Sequence, residues 1–299
     1  MKGSINTNAW TIRLGDWTAS NDNGTRTSDF MPDHFRAFRI FGSNTNWSRV
    51  TDRCYTIVER IQTNYSKTTG LLPDFVVKAN AAAEPAAPNY LESANDGHYS
   101  YNACRTPWRI GTDYLVSGDT RPLTAMNKLN GWIRTKAANN PANIHAGYNL
   151  TNGTQLESYT DLAFTAPFVV GAMVNASNQT WLNALWTNVV NTSITSDAYY
   201  GNSIKMLCLI VASGNWWTPA FKSPSITNHV YLPNGQFSFD LVCEPQFTNR
   251  IQATTDLSSW ATLLTTNPPA SVSNVNFMDF QAAMFEQRFY RGGIDAVVP

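Results

Sequence analysis

One stretch of the chain, residues 89–119 (NYLESANDGHYSYNACRTPWRIGTDYLVSGD), gathers side chains able to activate water. Glu92 stands in a loop closed by an Asp96-Gly97 turn. Tyr99 and Tyr101 follow, and a helix is then predicted to open with Asn102, Arg105 and Arg109. Arg105 and Arg109 are four positions apart and so share a helix face. Pro107 fits the first turn, where its missing N–H falls among groups that have no helical partner. A loop carboxylate beside an amide, a phenol and a guanidinium can orient and deprotonate a water. The same residues also describe an ordinary loop-to-helix junction held by an arginine ion pair. Residue chemistry alone leans toward that plainer reading.

The elements that must position these residues follow from hydrophobic spacing. Segment 29–41 places Phe30, Phe35, Phe38 and Phe41 near one helical face, and 46–65 does the same with Trp47, Val50, Cys54, Ile57, Val58 and Ile61. Thr69-Gly70-Leu71-Leu72-Pro73 reads as a helix stop. Further helices are predicted at 101–117, 121–137, 162–174, 179–190 and 199–211, with no convincing strand among them, which favours stacked helical hairpins. Beyond Phe221 the period changes to two. Strands are predicted at 236–241, 250–255, 260–264, 275–277 and 288–291, and 218–233 serves as linker or first strand. The expected organisation is a helical domain over 1–221 and a small antiparallel β-sandwich over 222–299.

Composition removes several function classes. Lys+Arg 21 balances Asp+Glu 21, which argues against nucleic acid or an anionic membrane as the partner. No apolar run approaches the roughly 18–20 residues that a membrane-spanning helix needs. The polar start, Met1 to Trp10, carries no signal-peptide core. Cys54, Cys104, Cys208 and Cys243 form no paired spacing, and His34, His98, His145 and His229 lie far apart, so neither metal nor cofactor is expected. The cysteines read as small buried packing residues. Low charge with 10 Trp and 12 Tyr suits stacking on neutral ligands such as sugars.

The run Tyr101-Asn102-Ala103-Cys104-Arg105-Thr106-Pro107-Trp108-Arg109-Ile110 resembles the signature of glycoside hydrolase family 8. Segments 28–38 (SDFMPDHFRAF) and 70–75 (GLLPDF) are similar to other parts of that family, in order, so the resemblance covers roughly residues 10–218. It implies an (α/α)6 barrel and inverting hydrolysis of β-1,4-linked polysaccharides. Inversion uses two carboxyl groups about 6.5–9.5 Å apart, one acid and one base. Many members carry the base as an Asp where this chain has Asn102, and an amide cannot take a proton from water. A subgroup with Asn there uses a Glu of the preceding loop, a place that Glu92 fills. The resemblance therefore implies Glu92 as base, with Asn102 and Arg105 orienting, and Tyr101, Tyr99, Trp108 and Asp29 against the sugar.

The same resemblance marks what is different. The family's general acid belongs to a Ser-Glu-Gly motif that this chain does not contain, and the similarity begins only near Trp10. Met1 therefore looks like an internal start or a fragment boundary. Asp29, Asp33, Asp96, Glu157 and Asp161 remain as substitute acids, Asp29 first. Seven helices also fall short of the twelve of a full barrel, so an incomplete toroid is expected, with an apolar face that a homo-oligomer would cover. In the second domain, 253–260 (ATTDLSSW), Asp279 and 288–291 (RFYR) resemble a β-sandwich module of secreted bacterial proteins, with Trp260 in its core. The expected function is inverting hydrolysis of internal β-1,4 bonds, with cellulose or β-glucan ahead of chitosan and xylan. The alternative is a non-catalytic carbohydrate-binding remnant. Secretion is implied by the family.

Overall fold

The computed structural model describes residues 3–42, 44–216, 224–243, 248–269 and 272–294. The chain divides into two compact units, Met1–Thr218 and Pro219–Val298. The boundary expected between residues 221 and 222 lies outside the described residues.

Seven α-helices among the described residues build the first unit: α1 (Pro32–Phe41), α2 (Asn46–Asn64), α3 (Thr106–Ser117), α4 (Thr120–Lys136), α5 (Leu162–Ala172), α6 (Gln179–Asn191) and α7 (Tyr199–Ala212). Helices α1, α3, α5 and α7 pack side by side in sequence, while α2 backs α1, α4 backs α3 and α6 backs α5. The result is a double-layered arc of hairpins. Helix α5 is the most enclosed, and every residue from Leu162 to Ala172 is buried, which explains why it has no polar stripe. Its approach to α3 is close because Gly111 and Gly171 meet there. A Cβ on Gly111 would lie 3.2 Å from Val170 and 3.3 Å from the Gly171 nitrogen. The caps follow chemistry legible in the chain. Asp119 and Asp161 accept from the first-turn N–H groups of α4 and α5, and Gly118, at φ 67°, ends α3.

The helices fall where spacing puts them, with one instructive exception. Segment 101–117 was expected to be helical throughout, but α3 begins only at Thr106, after a short 3-10 turn, Ala103–Arg105. The backbone N–H groups of Ser100, Asn102 and Ala103 are drawn instead to the buried carboxylate of Asp74. Among the described residues the unit also holds five short strands that a period-two reading cannot detect: β1 (Ile5–Asn6), β2 (Thr11–Ile12), β3 (Thr25–Arg26), β4 (Phe75–Val77) and β5 (Glu84–Pro85). Strands β3, β4 and β5 form one antiparallel sheet, with Arg26 opposite Phe75.

The described residues of the second unit form a sandwich of two three-stranded antiparallel sheets. Its strands are β6 (Ser225–Tyr231), β7 (Phe237–Val242), β8 (Asn249–Thr254), β9 (Ala261–Thr266), β10 (Asn274–Asp279) and β11 (Phe289–Ile294). The sheets run β10-β7-β6 and β11-β8-β9 and enclose Phe239, Leu241, Cys243 and Ile251. Buried Asp279 pairs with Arg288 at 3.0 Å and accepts from the Tyr290 hydroxyl at 2.9 Å, which gives the 288–291 run a structural purpose. The Arg291 guanidinium covers the Trp260 ring, 4.0 Å from its centroid. That ring is half-buried and already stacked.

Candidate active site

Glu92 is presented by a loop that its own side chains shape. Asp96, buried, accepts from the backbone N–H groups of Leu91 (2.6 Å), Glu92 (3.0 Å) and Ser93 (2.8 Å). The Asp96-Gly97 turn itself is closed by the His98 N–H on the Asn95 carbonyl at 2.8 Å. The Glu92 side chain stays open to solvent, with 47% of it exposed. One carboxylate oxygen accepts from Arg26 Nη2 at 2.9 Å, and the other accepts from Asn102 Nδ2 at 2.7 Å. A carboxylate offers about four lone-pair positions, so two bonds leave room for water.

The orientation of the Asn102 amide follows from its partners. Its Oδ1 accepts from Arg105 Nη2 at 3.0 Å, which obliges its NH2 to face Glu92. Arg105 in turn donates to Ser28 Oγ at 2.8 Å and, from Nε, to the Asn102 carbonyl at 3.3 Å. The chain of bonds therefore runs Arg26, Glu92, Asn102, Arg105, Ser28. Asp29 stands beside it, 3.7 Å from Arg26 Nη1. Burial raises the Asp29 carboxyl above the usual range, while Arg26, Arg105 and Arg109 pull it back.

Tyr101 lies at the edge of this cluster. Its hydroxyl bonds to Tyr159 (3.1 Å) and Asp161 (3.0 Å), and its carbonyl accepts from the Tyr200 hydroxyl at 2.6 Å. The rings of Tyr101, Tyr159 and Tyr200 are all partly exposed. Burial, together with the bonds to Tyr159 and Asp161, pushes the Tyr101 phenol far up, so it stays protonated and able to donate.

Two expected sugar contacts are corrected by burial. Tyr99 is wholly buried among Phe164 and Phe168 and points its hydroxyl at the Cys104 carbonyl. Trp108 is 3% exposed and belongs to the same core, with Arg109 stacked on its ring at 3.8 Å. Neither ring can touch a substrate. The substitute acids sort themselves as well. Asp96 is saturated by backbone, Asp161 caps α5 and holds Tyr101, and buried Asp33 is paired with His34 Nδ1 at 2.8 Å. Glu157 lies outside this bonded chain, which leaves Asp29. All four cysteines are free and buried, and among the described residues no cluster of His, Cys, Asp and Glu could hold a metal ion.

Residues 7–214 match Glycosyl hydrolases family 8. The chain belongs to that family. A beta-glucanase of Niallia circulans is 49% identical over 220 residues, 73% of this chain and 53% of that protein. An endoglucanase of Bacillus sp. (strain KSM-330) is 36% identical over 222 residues, 74% of this chain and 47% of that protein. The apo structure of a beta-1,3-1,4-glucanase from Paenibacillus sp. X4 superposes with a TM-score of 0.70 at 48% identity, covering 73% of this chain and 58% of that one. A cold-adapted family 8 xylanase, 22% identical with a TM-score of 0.58, shares the fold. The chain spans about half the length of the curated relatives it matches.

In this family 8 chain the arc of hairpins is of the (α/α)6-barrel type, without closure among the described residues. The structure also brings in three residues that sequence reasoning passed over. Ser28 and Asp74 lay inside the matched segments 28–38 and 70–75 and could have been nominated from them. Arg26 lay in no quoted segment, and only the pairing of β3 with β4 carries it to Glu92.

Proposed function

We propose that the chain hydrolyses internal β-1,4 bonds of a neutral β-glucan with inversion at the anomeric carbon. The observation that supports this most is Glu92, a half-exposed carboxylate held by one amide and one guanidinium with lone pairs to spare. In the proposed reaction Glu92 takes a proton from a water as that water's oxygen bonds to the anomeric carbon. The bond to the leaving oxygen breaks, and that oxygen takes a proton from an acid. Asp29 is the first choice for the acid. It shares Arg26 with Glu92, so their nearest oxygens lie no more than about 9 Å apart, below the upper limit of the span that inversion uses. Asn102 and Arg105 orient the base, and Tyr101 with Tyr159 and Tyr200 offers rings to the sugar.

The relatives named beta-glucanase and beta-1,3-1,4-glucanase favour mixed-linkage β-glucan, ahead of cellulose, xylan and chitosan. A polymer of that kind does not enter cells, so an extracellular setting belongs to the same proposal. One observation favours a second reading, saccharide binding without turnover: Arg26, Arg105 and Arg109 work against the burial and the Glu92 charge that raise the Asp29 carboxyl, and so oppose its role as a proton donor. Reducing-sugar release from lichenan, carboxymethylcellulose, xylan and chitosan separates the two, with calorimetric binding of oligosaccharides as the companion. Release from lichenan with an α-anomer as first product supports hydrolysis. Binding with no release supports the second reading.

Self-association is proposed with it. The arc leaves Phe38 and Phe41 exposed on α1, and Ile194 and Met206 exposed near and on α7, which a monomer seldom tolerates over a wide face. Light scattering at micromolar concentration should return a dimer or larger species, and a monomer would contradict it.

A further inference from the structure

Asp74 takes no part in the reaction proposed above, yet the site is hung from it. It directly precedes β4, the middle strand of the β3-β4-β5 sheet, and is 3% exposed. One carboxylate oxygen accepts three backbone N–H groups, from Ser100 at 3.0 Å, Asn102 at 3.2 Å and Ala103 at 2.6 Å. Its own backbone joins the other two parts of the site. Its N–H donates to the His98 carbonyl at 2.8 Å, its carbonyl accepts from the Thr27 N–H at 3.2 Å, and the next residue, Phe75, donates to the Asp96 carbonyl at 2.9 Å. The segments carrying Arg26 and Ser28, Glu92, and Asn102 and Arg105 thus meet at one residue.

A buried carboxylate that collects three N–H donors is an anchor with direction. It bends the chain out of the helix that 101–105 would otherwise join, and the bend decides where the Asn102 amide points. That amide holds Glu92 at 2.7 Å. We propose that Asp74 is the positioning residue of the site, fixing the Ser100–Ala103 turn so that Asn102 presents its NH2 to Glu92. The consequence for catalysis rests on the hydrolytic reading. The placement of Asn102 does not.

Asp74→Asn keeps one acceptor oxygen and the size of the side chain, and Asp74→Ala removes both oxygens. Above about pH 7, where the Asp74 carboxyl is charged, its bonds contribute more than those of a neutral amide, and displacing a reacting group by an ångström can cost about 100-fold. On lichenan, Asp74→Asn should lower kcat about 10- to 100-fold with KM within about threefold, because binding surfaces are untouched. Asp74→Ala should be worse, so that the asparagine acts as a partial rescue.

Amide hydrogen exchange supplies a readout independent of turnover. In Asp74→Asn the amides of Ser100, Asn102 and Ala103 should exchange at least about tenfold faster, while those of buried Leu129 and Phe168 keep their protection. Unchanged exchange at the three amides overturns the proposal. So does a uniform loss across the helical unit, or a KM that rises as far as kcat falls. If the wild type releases no sugar from any polymer, the hydrolytic reading fails, and the three amides still decide the role of Asp74. If Asp74→Ala does not fold, Asp74→Asn alone decides it.

Discussion

Two clusters of carboxylates and arginines sit in the helical unit, and they are built for opposite ends. Around Asp113, on α3, three of about four lone-pair positions accept bonds and none is open to solvent. Arg36 Nε donates to one oxygen at 2.7 Å, and Arg36 Nη2 (2.9 Å) and the Tyr55 hydroxyl donate to the other. Arg36 also reaches Asp119 at 2.8 Å, and Arg121 ties Asp119 to Asp52. These residues come from α1, α2, α3 and α4 and from the cap of α4, and Asp113 is fully buried. Around Glu92 the supports are the short strand β3 and the turn before α3, the carboxylate is half-exposed, and each oxygen accepts one bond. The same residue types make a lock in one place and a site in the other. What separates them is whether solvent can still reach a lone pair.

The largest effect that can break this comparison is on stability. Asp113→Ala should cost about 1–3 kcal/mol, because it leaves the buried Tyr55 hydroxyl without its acceptor, while Arg36 keeps Asp119. Glu92→Gln should change stability by no more than about 0.5 kcal/mol, as exposed substitutions do. Urea unfolding of both variants checks the pair, and equal losses would erase the distinction.

Next comes Asn102→Asp. A carboxylate there would stand 2.7 Å from Glu92, and two like charges at that distance cannot both ionise freely. Activity at neutral pH should fall about tenfold or more, with the acidic limb of the pH–rate profile moved upward. In a Glu92→Gln background the same change removes no attraction and returns a carboxylate, so the loss should be smaller. A profile left in place by Asn102→Asp would show that the amide is not oriented as described.

Stability against pH sharpens the contrast by sign. Burial opposes ionisation of Asp119, yet the bonds from Arg121 and Arg36 win and hold its carboxyl far below the usual range. Its stabilisation is therefore complete above the unfolded value of about 4 and is lost as pH falls below it. Asp74 has the opposite sign. Burial pushes its carboxyl up to about 7 against its three N–H bonds. The folded state thus holds an extra proton between the two values, and this contribution fades as pH rises from about 4 toward 7. Melting temperatures should show a fall over that window in the wild type that Asp74→Asn lacks.

The smallest effect belongs to Arg121. Its ion pairs are partly exposed, so Arg121→Ala should cost only about 0.2–1 kcal/mol and less in high salt. A larger loss would place Arg121 inside the lock rather than at its rim.

The contrast also explains what the sequence could reveal. The helices were legible because α2 repeats apolar residues at helical spacing from Trp47 to Ile61, and the closeness of Glu92, Asn102 and Arg105 was legible because their segment is short. Burial of Tyr99 and Trp108 was not. Residue type announces an aromatic ring without saying which way it faces, and both rings turn into the core, Tyr99 against Phe164 and Phe168 of α5. Arg26 escaped notice because its partner Glu92 is 66 positions away, and only strand pairing closes that gap. The late start of α3 was equally hidden, since Asp74 and Ala103 are 29 positions apart.

The central claim, that Glu92 acts as the base, is tested most directly by comparing wild type and Glu92→Gln on lichenan, with oligosaccharide binding measured on both. The substitution keeps size and one of the two bonds from Arg26 and Asn102, since an amide has a single acceptor oxygen, and it removes the proton acceptor. A general base contributes about 10²–10⁴-fold, so turnover should fall by that much while binding persists. An active wild type whose Glu92→Gln variant keeps more than about a tenth of its rate, above the smallest loss that a general base allows, would contradict the account.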